Sequence, residues 1–472
     1  MYYDPSPHQL EDSDIMIEQE VSYLWADAGT GKTVTAMEAI RKGGFEKVVV
    51  LCPKMAVTMW KEELELHLMH DSKLGNEKYS AYTRRGAQLP KGVNIHWRDA
   101  LIVPFGVARN LYKSKEMDDH RFFHSFQMGG TMRRNKLERK PHWDERYKTA
   151  FIIDEAHNLK SVQAQQTRAV LGQNIDQSDP RRVVHGANAI MQLTGTPVTR
   201  YFDDLWTQLR AGRAELLKYY NVYEYKQFVD KFCQTKMIKR GQKFERVVCG
   251  NTNHALLTKL LEDAGVIRRA LNDVVANMPP VTHRIVDTDY KSVPAGGIGK
   301  MSEAELMKAL GDSDSEASTI RRKLGLAKVK SIVEYIDEYG QAPYLIGYWH
   351  TEVGQELFER LGGEGYAIVS GATSTKRRDL IREQFNAGEL TGIIGQMSAM
   401  NTSWNLQEIS RHVIIAEEMP SPALLHQFYS RVYRRGQKNH VQIDHMLSTH
   451  QLDIALRNIR LSKQADNERI GV

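Results

Sequence analysis

Cysteine is scarce in this sequence: Cys52, Cys233 and Cys249 are the only three in 472 residues, and they lie far apart. Neither a disulfide framework nor a four-cysteine zinc site can be assembled from them, which fits a reducing compartment. The 17 histidines show no finger-like spacing either. Long hydrophobic runs are also missing. No stretch approaches the roughly 18 apolar residues that span a bilayer, and the opening Met1-Tyr2-Tyr3-Asp4-Pro5 lacks the charged and apolar regions of a signal peptide. Neither sign of charge dominates: 64 basic residues against 58 acidic ones leave +6. That balance permits a polyanionic partner without demanding one. With 41% hydrophobic residues, the chain has material for two or three ordinary cores.

What is present is a pattern of short apolar runs separated by turns and amphipathic stretches. Tyr23-Leu24-Trp25, Val48 to Leu51, Leu101 to Val103, Phe151 to Ile153 and Met191 to Leu193 form one series. Tyr344 to Ile346, Ala367 to Val369, Ile393-Ile394 and Val413 to Ile415 form a second. Continuous runs of this kind suit parallel strands buried on both faces, so the expected fold class is α/β with two lobes. The spacing places lobe one at residues 1–215, a mostly helical segment at 216–290, a linker at 291–326, lobe two at 327–463 and a loose tail at 464–472.

Two motifs carry chemistry. The run Ala26-Asp27-Ala28-Gly29-Thr30-Gly31-Lys32-Thr33 follows a strand and opens a helix-compatible segment. It reads as a phosphate-binding loop. Glycines let backbone N–H groups converge on phosphate oxygens, Lys32 adds a charge at the β and γ phosphates, and the Thr33 hydroxyl suits Mg²⁺. Ala26 stands where the first glycine usually is. Downstream, the strand Phe151-Ile152-Ile153 ends in Asp154-Glu155-Ala156-His157. Asp154 could hold Mg²⁺ while Glu155 orients and deprotonates an attacking water, a division that needs adjacent carboxylates.

These two motifs resemble motifs I and II of superfamily-two helicases and translocases, the second being a DEAH box. Leu193-Thr194-Gly195-Thr196-Pro197 resembles motif III of the Swi/Snf-type ATPases, and Gln427 to Gln437 resembles their motif VI. The resemblance implies two RecA-like lobes with a helical protrusion between them, ATP and Mg²⁺ as cofactors, and DNA, duplex or branched, as partner. It assigns Arg431 and Arg434 to the γ-phosphate as arginine fingers; three apart, they share a face if their segment is helical. It gives Lys54, Ser374 and Asn405 to DNA contact, and His157, Thr194, Thr196 and Gln427 to coupling. Gln9 resembles the adenine-reading glutamine. Thr402-Ser403-Trp404 departs from the usual glycines of motif V. Short matches in the middle, Phe228 to Cys233 and Ile267-Arg268-Arg269 among them, resemble the annealing-helicase branch.

Residues 131–148 carry net +4 with His142, Trp143 and Tyr147 interleaved, so Arg133, Arg134 and Lys136 are candidates for phosphate contact in an insertion. The expected activity is ATP-driven translocation on double-stranded DNA in replication, recombination or repair, with branch remodelling or strand annealing. A conventional strand-separating helicase, a remodeller that displaces protein such as a polymerase, and a nucleotide-gated binding module stay open as alternatives. The lack of appended regions points to a minimal motor in the cytoplasm of a bacterial or virus-infected cell, or in the nucleus if the source is eukaryotic.

Overall fold

The computed structural model describes residues 4–68, 80–81, 100–106, 108, 123–125, 141–143, 148–172, 182–184, 186–240, 243–290, 293–340, 343–400 and 404–472. Arg133, Arg134, Lys136, Thr402 and Ser403 lie outside them.

Two parallel sheets form the frame, beside a short antiparallel ribbon of β5 (Phe123–Ser125) and β6 (Pro141–Trp143). The first runs β11-β1-β8-β7-β2-β4-β3, from strands β1 (Val21–Ala26), β2 (Lys47–Cys52), β3 (Ser80–Ala81), β4 (Ala100–Pro104), β7 (Thr149–Asp154), β8 (Ala189–Thr194) and β11 (Val266–Arg269). The second runs β12-β17-β16-β13-β15-β14, from β12 (Val281–Asp287), β13 (Tyr344–Tyr348), β14 (Tyr366–Val369), β15 (Gly392–Gln396), β16 (His412–Ile415) and β17 (Val441–Leu447). All nine apolar runs named above lie in these strands. The cause is two-sided burial. In the first sheet Tyr23, Trp25, Val49, Leu51, Phe151 and Ile153 enter one core, while Leu24, Val48, Val50 and Ile152 enter another with Met37, Ile40 and Trp60. Period-two alternation therefore has no solvent-facing side, and the central positions of these strands are mostly apolar on both faces.

The stretch read as mostly helical departs from that reading. Residues 216–290 do hold helices Tyr225–Phe232 and His254–Asp263, but also an antiparallel hairpin of β9 (Cys233–Arg240) and β10 (Lys243–Asn251). β11 then returns to pair with β1, and β12 crosses to pair with β17. The chain thus passes between lobes over residues 270–280, ahead of the expected linker. The sequence hid β12 because it is an edge strand with no fully buried residue, and β17 because Gln442, Asp444 and His445 interrupt its apolar run. Asp444 is held inside by Arg284 Nε at 2.9 Å, Tyr335 Oη at 2.6 Å, Gln442 Nε2 at 2.8 Å and His412.

The linker reading of 291–326 also gives way. Helix Glu303–Leu310 and the first turns of helix Glu316–Tyr339 occupy it, packing Leu306, Ile320 and Leu324 on Leu452 and Leu456. Likewise 464–472 is no loose tail. Helix Gln451–Arg469 starts on lobe two and ends on lobe one, where Asp466 accepts from Asn251 Nδ2 at 2.9 Å and Ile470 is fully buried in the first core. A polar C-terminal sequence conceals this, since single apolar anchors such as Ile470 leave no periodic signal.

Candidate functional site at the lobe interface

The phosphate-binding loop follows β1 at the carboxyl edge of the first sheet, where open parallel sheets take ligands. Gly29 and Gly31 adopt φ of 89° and 90°, backbone that only glycine adopts freely. A Cβ on Gly31 would fall 2.0 Å from Gln9 Nε2. Ala26 is the last residue of β1 and needs no glycine, which explains the departure at that position. Lys32 Nζ donates to the carbonyls of Ala26 and Asp27 at 2.6 and 3.1 Å. Burial pushes the Lys32 ammonium down, against the pull of Glu155, Asp154 and Asp27. Ala28 is half-buried in the loop, Thr30 donates its hydroxyl to Asp27 O at 2.9 Å, and Thr33 lies in the first turn of helix Lys32–Gly43. Asp27 turns its carboxylate away from loop work, accepting Leu271 N–H at 2.9 Å.

Gln9 is brought to the loop by helix Pro7–Glu18. Its Nε2 donates to Thr30 O at 3.1 Å while its Oε1 accepts Ser6 N–H at 2.8 Å.

Asp154 ends β7 and is buried, its Oδ2 accepting from Trp60 Nε1 at 2.8 Å. Desolvation and the adjacent Glu155 hold its carboxyl above the usual range. Glu155 moves the other way. Burial works to raise it, but His157, Lys32 and Arg431 together outweigh burial and hold it ionised. Its φ of 53° places a non-glycine residue in the left-handed region, a strain of the kind that collects at working sites. His157 Nδ1 lies 3.3 Å from Glu155 Oε2, 2.9 Å from Thr194 Oγ1 and 3.4 Å from Thr196 Oγ1.

Lobe two closes over this. Gln427 Nε2 donates to Thr196 Oγ1 at 2.8 Å, so a continuous polar chain runs from Glu155 through His157 and the threonines into the second lobe. A Cβ on Gly29 would lie 3.0 Å from Arg435 N and 3.1 Å from Arg434 Cβ. Arg431 is buried, pushed down to about 10 by desolvation and then by Arg434, with Glu155 opposing. Arg434 Nη1 donates to Trp404 O at 3.2 Å. The two arginines do not share a helix face: helix Pro422–Tyr429 stops before them. Ser430 Oγ bonds back to His426 O, Arg431 Nε takes Gln427 O at 3.0 Å, and Gly436 has φ 94°, so local bonds replace helix continuation.

Lys54 is exposed after the carboxyl end of β2, the edge that also carries the loop, while Ser374 and Asn405 are exposed after the carboxyl ends of β14 and β15 in the second sheet. Ser374 caps helix Thr375–Asn386, its Oγ accepting Arg377 N–H at 3.4 Å. Sequence reasoning missed Trp60 as a support of Asp154; its place in the segment after β2 was the available signal. It also missed Leu271, whose backbone ties the crossover to Asp27, and no side-chain signal could have shown that.

A loop at the end of one parallel sheet, an acid pair beside it and two arginines from a second sheet define a two-lobed P-loop ATPase of the superfamily-two kind. The family model described as SNF2-related domain matches residues 17–318. The chain belongs to that SNF2-related family. It is 25% identical over 309 residues to SWI/SNF-related matrix-associated actin-dependent regulator of chromatin subfamily A-like protein 1 of Xenopus tropicalis, covering 63% of this chain and 31% of that protein. It is 23% identical over 478 residues to the putative ATP-dependent helicase/translocase YwqA of Bacillus subtilis, covering 94% and 46% respectively. The chain therefore spans less than half the length of these relatives. A Sulfolobus solfataricus SWI2/SNF2 ATPase core in complex with dsDNA aligns over 100% of this chain and 94% of its own at 17% identity and a TM-score of 0.42.

Proposed function

We propose that this chain is a DNA-dependent ATPase that translocates on duplex DNA and remodels branched or unannealed DNA. The observation that carries the reading is the closure of Gln427, Arg431 and Arg434 from lobe two onto Thr196, Glu155 and Gly29 of lobe one. A triphosphate clasped from both sides favours the closed arrangement, and loss of its γ-phosphate removes the bridge. The translocase role is supported by the similarity to the Bacillus protein, which is described as a putative ATP-dependent helicase/translocase.

The donor set fits Mg²⁺. Thr33 and Asp154 offer hard oxygens, and the raised Asp154 carboxyl marks a buried anion short of positive charge. Bound there, Mg²⁺ would neutralise charge on the phosphate oxygens. The chain's own residues do the rest. Lys32 and the loop amides bind phosphate, Gln9 stands at the loop for the adenine, and Glu155, kept ionised, takes the proton of the attacking water. Arg431 and Arg434 offset charge on the transferring phosphoryl group. His157, Thr194, Thr196 and Gln427 report the state of that pocket to lobe two. Lys54, Ser374 and Asn405 supply the DNA track. No described helix is long and apolar enough to cross a membrane.

The test is ATP turnover with single-stranded, duplex, forked and four-way DNA, with RNA as control. Duplex or branched DNA stimulates the wild type, and Glu155→Gln loses turnover while still binding ATP. Stimulation by RNA alone refutes the substrate, and undiminished turnover in Glu155→Gln refutes the base.

A further inference from the structure

β2 and β7 lie side by side, Leu51 opposite Ile153, so the segment after β2 starts beside the end of β7 where Asp154 stands. That segment becomes helix Val57–Leu68, and its buried residues Val57, Trp60, Leu64 and His67 follow the three- and four-residue spacing of one helix face. Trp60 is fully buried in the core that also takes Met37 and Ile40 of helix Lys32–Gly43, the helix that opens with Lys32 and Thr33. One packed cluster therefore supports both proposed Mg²⁺ ligands, Thr33 and Asp154.

Filling that core at position 60 requires only bulk. Trp60 adds one polar atom, an indole N–H that can donate but not accept, and a buried N–H of this kind usually finds an acceptor. It finds Asp154 Oδ2 at 2.8 Å. Among the described residues no other side chain hydrogen-bonds to Asp154. The strand fixes the backbone of Asp154, but the final torsion of a carboxylate is broad and twofold, so the backbone leaves its orientation open. The indole closes it. A ring wedged in a core cannot follow the carboxylate as it turns, and the bond therefore holds one orientation, with Oδ2 occupied and Oδ1 free of side-chain donors.

We infer that Trp60 is a positioning residue for Mg²⁺, fixing the Asp154 carboxylate so that it presents a single oxygen to the cation. The inference rests on the proposed Mg²⁺ site at Thr33 and Asp154, and it adds the group that sets the geometry of that site. Mg²⁺ demands near-octahedral coordination, whereas Ca²⁺ accepts irregular and bidentate carboxylates. A carboxylate locked to one oxygen therefore favours Mg²⁺ over Ca²⁺, and one released to rotate loses part of that preference. Partners that orient a metal's ligands from behind are worth about 10- to 100-fold in metal affinity.

Binding of Mn²⁺ to the full chain with saturating ADP is read by electron paramagnetic resonance, with Mg²⁺ and Ca²⁺ as competing ions. Trp60→Phe keeps an aromatic ring and removes the N–H. The amino acid 3-benzothienylalanine, introduced at position 60 by codon suppression, keeps the whole bicyclic shape with sulfur in place of the N–H. Both changes are expected to weaken Mn²⁺ and Mg²⁺ by about 10- to 100-fold and Ca²⁺ by less, while ADP affinity in EDTA stays within about twofold. The Mg²⁺ concentration for half-maximal ATP turnover rises in step, and kcat recovers at saturating Mg²⁺. Unchanged Mn²⁺ affinity in the benzothienylalanine protein, or equal losses for Mg²⁺ and Ca²⁺, overturns the inference; that protein decides the matter if Trp60→Phe does not fold. A loss of ADP affinity in EDTA as large as the loss of Mn²⁺ affinity assigns Trp60 to packing alone and overturns it too. Asp154→Asn separates the two readings: if it binds Mn²⁺ as the wild type does, the proposed Mg²⁺ site fails whatever the Trp60 variants show.

Discussion

Gln427→Ala tests whether the polar chain between the lobes transmits anything. The bond it removes, Nε2 to Thr196 Oγ1 at 2.8 Å, links motif VI to motif III. Truncation does not strand the threonine, because Thr196 Oγ1 still lies 3.4 Å from His157 Nδ1. The cost is therefore that of one neutral hydrogen bond, about 1 kcal/mol, with no added penalty for an orphaned buried group. That energy corresponds to about fivefold in the balance of closed against open lobes. DNA-stimulated kcat should fall by about that factor. ATP affinity, set mainly by the loop in lobe one, should change by less than about twofold. Steady-state ATPase assays with saturating duplex DNA, together with binding of a labelled ATP analogue, read both quantities. Thr196→Val supplies the second arm of a double-mutant cycle, in which the paired variant should lose little beyond either single one. Additive losses, or a Gln427→Ala enzyme whose stimulated kcat matches the wild type, would refute coupling through this bond.

Two further outcomes follow from the site. Arg431→Ala and Arg434→Ala should each lower turnover by on the order of 10³ while nucleotide affinity changes far less, the signature of groups that act on the transition state; single-turnover hydrolysis with both variants near wild-type rates would remove them from the pocket. Stability should fall with acid in two stages. His283 lies 3.1 Å from His445 Nε2, with Arg460, Glu418 and His426 also facing it, and is pushed down to about 4 by burial, His445 and Arg460. The unfolded chain takes up a proton at roughly pH 6.5 that the folded chain refuses until about 4, so stability is lost as pH drops through that window. Glu418, held down to about 2 by His445 and Arg460 against its burial, extends the loss below it. Thermal melting of His283→Gln should be flatter between those two pH values, and a slope identical to the wild type would contradict the assignment.

The strands and the chemistry are legible in the chain, because both are written in contiguous residues. A parallel strand covered on both faces is apolar over most of its length, so β1, β7, β13 and β16 announce themselves. A phosphate loop needs glycine where φ is positive, and Gly29 and Gly31 supply it. Asp154-Glu155 is adjacent in chain as in space. What rests on pairing between distant segments emerges only in the fold. That β12 crosses to the second sheet and that Ile470 anchors the last helix in the other lobe depend on partners more than a hundred residues away, whereas the 233–251 ribbon is a local hairpin that escaped notice because its strands mix polar and apolar residues without a strong pattern. The arginines show the division most clearly. Their identity and spacing are local, but their approach to Glu155 and Gly29 depends on how two separately packed sheets meet, and no window of sequence encodes that distance.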